Sequence, residues 1–99
     1  MAALMIRIKV SDFDKWKAAY DAGADDHRVS RGSKGGKIFR DAEDPNMVSV
    51  VLHWDNMANL NGFLEFMQSP EMQKIMEEGA VVGPPEAIYV FGETLDTPA

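Results

Sequence analysis

The sequence predicts an α+β domain of order β-α-β-β-α-β: a four-stranded antiparallel sheet that carries its helices on one face. Three observations predict it. Leu4, Ile6, Ile8 and Val10 alternate with Met5, Arg7 and Lys9, the period of two that marks a strand with one apolar face. The turn Asp44-Pro45-Asn46 opens the apolar run Met47-Val48-Ser49-Val50-Val51-Leu52-His53-Trp54, and Asp55 closes it as a helix-starting carboxylate. Leu60, Phe63, Phe66 and Met67 then recur on an amphipathic segment.

Each element follows in turn. Ser11 or Asp12 offers a side-chain oxygen to the open amides of a first helical turn. Phe13, Trp16, Tyr20, Ala24 and His27 recur at spacings of three and four, so they share one face of that helix, which Gly23 weakens and could end early. Arg31 to Gly36 holds three glycines and is expected as a loop rimming a pocket. Lys37 to Arg40 reads as a short second strand, joined to the third through a hairpin turn over Asp41 to Asn46. Asp55 or Asn56 caps a second helix with Met57, Leu60, Phe63 or Leu64, and Met67 as its stripe. Ser69-Pro70-Glu71 starts another helix, with Ser as cap, Pro at the first position and Glu near the positive end. Gly79 can stop it, Val82 to Pro85 is a rigid connector, and Ala87 to Glu93 is the last strand. The chain is a single domain over 1–99, with 95–99 as a loose tail.

Two split strand-helix-strand units of this order make a ferredoxin-like sheet. The helices cover one side only. Yet the third strand is apolar on both sides, with Val48, Val50, Leu52 and Trp54 on one and Met47 and Val51 on the other. Two such sheets packed face to face as a homodimer resolve the conflict.

Composition narrows the function. Ten Lys and Arg against 16 Asp and Glu give a net charge of −6, which repels phosphate backbones, so no nucleic-acid partner is expected. No cysteine is present, which removes disulfides and thiolate metal sites. No apolar run approaches the roughly 18 residues that span a bilayer, so no membrane partner is expected and the cytoplasm is the expected location. Gly32-Ser33-Lys34-Gly35-Gly36-Lys37 fails as a phosphate loop: it is one residue short, and Ile38 stands where a Ser or Thr is needed. Asp41, Glu43 and Asp44 depart from calcium-loop spacing, and Asp25 and Asp26 diverge on a helix, so no metal is expected.

The stretches Asp44-Pro45-Asn46, His53-Trp54-Asp55, Ser69-Pro70-Glu71-Met72 and Val81-Val82-Gly83-Pro84-Pro85-Glu86 resemble the dimeric α/β-barrel superfamily. Within it the chain is similar to small antibiotic biosynthesis monooxygenase-like proteins of a cyclase-labelled branch, over roughly residues 4 to 93. The resemblance implies an eight-stranded barrel built from two chains, with a pocket in each between sheet and helices. It implies cofactor-independent oxygenase or cyclase chemistry on an aromatic or polyketide-like molecule, hence no cofactor. Haem-degrading members use a histidine on the second helix and an asparagine on the first strand. This chain has Phe63 and Phe66 on that helix and no such asparagine, which disfavours haem degradation.

His27 is the leading candidate base, since it shares its stripe with Trp16 and Tyr20 and a neutral imidazole there can take a proton from a phenol or 1,3-dicarbonyl carbon. The alternative is a helix-end histidine bonded to a carbonyl or to solvent. His53 is the second candidate; it and Trp54 point to opposite sides of the sheet, one toward the helices and one toward the dimer seam. Tyr20 and Tyr89 can hydrogen-bond a substrate oxygen or simply pack, and Trp16 and Phe39 are expected as pocket walls. The competing function class is a non-enzymatic dimeric binding or stress-linked accessory protein.

Overall fold

Eight residues of alternation form the first strand, β1 (Ala2–Lys9), with Leu4, Ile6 and Ile8 buried on one side. In the computed structural model, which describes residues 1–99, there follow α1 (Phe13–Ala22), β2 (Ser33–Arg40), β3 (Met47–Trp54), α2 (Met57–Met67), α3 (Pro70–Glu78) and β4 (Ala87–Phe91). A π-type turn (Ala24–Arg28) and a 3-10 turn (Val29–Arg31) link α1 to β2. The strand order is β2-β3-β1-β4, and every neighbouring pair is antiparallel. β3 lies between β1 and β2, which is the split arrangement of a ferredoxin-like sheet.

The helix starts are chemical. Asp12, Asn56 and Ser69 each accept a hydrogen bond from the backbone N–H three residues on, at 3.1, 2.9 and 3.1 Å. Each satisfies one of the amides a helix leaves open at its first turn. Pro70 occupies the first turn of α3, where its missing N–H costs nothing.

Sheet register sets the core. Leu4 faces Leu52, Ile6 faces Val50, and Ile8 faces Val48, all on the side the helices cover. Leu60, Phe63, Phe66 and Met67 of α2 close onto them. Trp54 is wholly enclosed, with its ring 4.8 Å from that of Phe63. Its buried indole N–H has no hydrogen-bond partner in the chain, so Trp54 holds its place by volume and stacking.

Two expectations need correction. The first helix does not carry the stripe on to His27; of the two courses open at Gly23 it takes the early end, stopping at Ala22 before the π-type turn. The glycine-rich stretch is not a loop but the start of β2. Gly35, at φ +84°, permits the register shift between Ser33 and Gly36. Gly36 lies so close to the β3 backbone that a Cβ would sit 1.7 Å from the Val51 carbonyl oxygen. The missing side chains that looked like loop composition are what let this strand dock.

On its other face the sheet meets no helix. Met5, Val51, Tyr89, Phe91 and Phe39 line this side, with Phe39 51% and Tyr89 54% exposed. At its end lie the ion pairs Arg7–Asp41 and Lys9–Asp44. No helix is long and apolar enough to cross a membrane.

Candidate functional site

The candidate site is a cavity of about 70 Å³ between the sheet and the helices. Ile6, Ile8, Val50 and Leu52 form its floor, Phe63 and Met67 one wall, and Met72, Met76 and Val81 the cover. Trp16, Tyr20, His27 and Arg28 complete it. A second recess of about 50 Å³ adjoins it on the α1–α3 side. A groove of about 270 Å³ runs along β2 past Ala24, Val29 and Gly36. Tyr20 and Arg28 border all three spaces. The largest hollow, about 440 Å³, lies elsewhere, between α2, α3 and the Gly83–Pro84–Pro85 connector. Gln68, Gln73 and Glu77 are its polar lining residues, and none of the expected site residues reaches it.

The aromatic stripe of α1 arrives as its spacing predicts. Trp16 is buried and stacks on Tyr20 at 5.0 Å, with Phe13 5.7 Å beyond it. His27 lies on the Phe66 ring, centroids 5.4 Å apart and planes 23° from parallel. Gly23 backs it: a Cβ there would come within 2.4 Å of the imidazole. Neither the His27 ring nor the Tyr20 hydroxyl makes a hydrogen bond within the chain. Both have their polar atoms available to a ligand.

Arg28 is the residue that sequence spacing misses. Its guanidinium carbon sits 3.5 Å over the Tyr20 ring, and Nη2 donates to the Tyr20 carbonyl at 2.7 Å. Burial pushes the Tyr20 phenol up from its ordinary value, against the pull of the Arg28 charge; burial draws Arg28 down. On a regular helix Arg28 would fall beside the stripe. In the π-type turn the Val29 amide reaches back five residues to Ala24, and this extra residue rotates Arg28 inward next to His27. Gly23 was the only sequence signal of that change.

The remaining expected site residues are elsewhere. His53, Phe39 and Tyr89 all lie on the uncovered face, opposite the cavity. Trp54, not His53, points toward the helices. Phe39 is therefore no wall of the His27 cavity, because Ile38 takes the inward place on β2 and period two sends Phe39 outward. The arrangement inside one chain joins Trp16, Tyr20 and His27, and adds Arg28. Their setting has no metal-ligand cluster of three or more His, Cys, Asp or Glu.

No family model matches this chain, and no curated protein does. Solved structures do match. A provisionally named antibiotic biosynthesis monooxygenase from Bordetella bronchiseptica superposes with a TM-score of 0.68 at 19% identity, over 95% of this chain and 97% of that one. One from Chloroflexus aurantiacus gives 0.66 at 15% identity, over 98% and 96%. One from Deinococcus radiodurans gives 0.59 at 14% identity, over the full length of both. The chain has the antibiotic biosynthesis monooxygenase-like fold. The matches cover 98% and 100% of this chain, so the fold extends over all of its strands and helices. Identities this low carry the fold; they do not carry a reaction.

Proposed function

We propose that this protein binds a small aromatic or polyketide-like molecule in the cavity beside His27, as a cytoplasmic homodimer, and acts on it without a cofactor. The observation that carries the reading is the convergence of three chemistry-bearing side chains, Tyr20, His27 and Arg28, on an otherwise apolar cavity. His27 takes the proton from a phenol or activated CH₂, Tyr20 orients the adjacent oxygen, and Trp16 and Phe63 flank the ring system. The resulting carbanion follows one of two courses. In oxygenation, dioxygen converts the CH₂ to a carbonyl; one oxygen atom is retained and the other leaves as water with both hydrogens. In cyclisation, the carbanion adds to a carbonyl of the same molecule, and the proton returns to the new alkoxide.

The cavity of about 70 Å³ is well below the ~300 Å³ at which ligand pockets begin, so ligand entry requires its cover to move. α3 buries no side chain fully, and Met72 and Met76 are flexible, so this cover yields readily. The homodimer reading rests on the uncovered face. Tyr89, Phe91, Phe39 and Met5 form an apolar surface that a second copy of the sheet would bury, with His53 at that seam.

The closed interior favours a second reading, a non-enzymatic dimeric binding or accessory protein. The test is incubation with a phenolic panel while oxygen uptake and product are followed. Turnover should fall at least about 100-fold in His27→Ala. Oxygen uptake marks oxygenation, and product without uptake marks cyclisation. Turnover that survives the substitution removes His27 from the role, and binding with no turnover selects the second reading. Native mass spectrometry should find a dimer that Tyr89→Asp dissociates; a wild-type monomer at micromolar concentration contradicts the barrel.

A further inference from the structure

Arg28 is 8% exposed, yet it belongs to none of the chain's four ion pairs. Burying a cation without a carboxylate beside it is costly, and proteins keep such groups where a partner arrives. The acidic residue that influences it electrostatically, Asp21, is engaged by Lys17 one turn back on α1. The face of Tyr20 compensates one side of the guanidinium, and the Tyr20 carbonyl takes one of its five N–H donors. Its surroundings are the cavity, the adjoining recess and the β2 groove, which all meet at this residue. The guanidinium fork matches two coplanar oxygens sharing one charge. Ile8, Val50 and Leu52 below it offer hydrocarbon contact. The chain's net charge of −6 works against gathering anions at long range, so capture here has to be local.

Resting on the pocket reading above, we propose that the ligand of this cavity is a small planar carboxylic acid, held as its carboxylate by Arg28 with its ring over the Ile8–Val50–Leu52 floor. This narrows the substrate class to aromatic or polyketide-derived acids. It also gives the cavity a fixed polar end, with the ring of the acid directed toward His27 and Phe63.

The test uses the full chain and two probes of one shape, benzoate and benzamide, titrated by calorimetry or ligand-detected NMR. Benzoate should bind at least about tenfold more tightly than benzamide, because two anionic oxygens meet the guanidinium fork where the amide offers one neutral acceptor. Arg28→Met should erase the preference by weakening benzoate at least about tenfold more than benzamide, and Arg28→Lys should keep part of it as a point charge without the fork. Equal affinity of the wild type for the two probes overturns the carboxylate assignment and leaves the pocket reading standing. A benzoate preference that persists in Arg28→Met overturns it too, since the anion then sits elsewhere. Binding of neither probe overturns the pocket reading, and this assignment with it. The wild-type comparison decides even if Arg28→Met does not fold.

Discussion

Replacing Gly36 with alanine tests the docking of β2 directly. The new methyl carbon would stand 1.7 Å from the Val51 carbonyl oxygen, 2.7 Å from its carbon and 3.0 Å from the Leu52 Cα. Ordinary carbon contacts need about 3.5 Å, and all three obstacles are backbone, so no rotamer change relieves the overlap. β2 must withdraw from β3 by more than an ångström beside an existing bulge. Overpacking of this kind costs about 1–3 kcal/mol, and one or two weakened ladder hydrogen bonds add about 1 each. The smaller conformational freedom of alanine in the unfolded chain returns about 0.4–1 kcal/mol. The net loss is about 1–4.5 kcal/mol, centred near 3, from a total of about 5–15 for a domain of this size. Urea denaturation at fixed protomer concentration, followed by Trp16 and Trp54 fluorescence, measures it, and Tm should fall by about 10–25 °C. Gly62→Ala is the matched control. Nothing lies within 4 Å of its Cβ position in α2, so it should stabilise by about 0.5–1 kcal/mol. A Gly36→Ala protein within about 0.5 kcal/mol of wild type, alongside a stabilised Gly62→Ala, would refute the close approach.

Three further outcomes are expected. The hydrogen bond from Lys9, then that from the Asn46 amide, holds the Asp44 carboxyl below the usual carboxylate range. A depressed folded pKa stabilises above the unfolded value and is lost as pH falls through the folded one. Asp44→Asn should therefore be less stable than wild type at neutral pH, with a gap that closes through the acidic range and shrinks in high salt; a gap independent of pH would contradict the pairing. Gly23→Ala should push the His27 ring off Phe66, since the added Cβ meets the imidazole at 2.4 Å, while the flexible ring limits the cost in stability. The ring-proton NMR shifts of His27 report the displacement, and unchanged shifts would remove Gly23 as its backing. Ser69→Ala should cost about 1 kcal/mol, by leaving the Met72 amide open at the start of α3; a neutral substitution would mean solvent replaces the cap.

Local sequence was enough for the order of elements, the cap at Ser69, and the sheet that is apolar on both sides, and it narrowed the other caps to Ser11 or Asp12 and Asp55 or Asn56, of which the structure uses Asp12 and Asn56. These are local matters: side-chain period and turn chemistry act within a few residues, and both can be read along a chain. It also placed Trp16, Tyr20 and His27 on one stripe, although the helix that was to carry them ends before His27. Which way the strands face came from packing. Alternation fixes that His53 and Trp54 point apart, and Ile38 and Phe39 likewise; it does not say which member turns inward. That follows from where α1 and α2 pack, and they cover Trp54 and Ile38 while leaving His53, Phe39 and Tyr89 on the open side. Arg28 reached the cavity through one extra residue in a turn. A charged residue in a polar run carries no periodic signal, and its burial becomes visible only when the aromatic ring beneath it is in place.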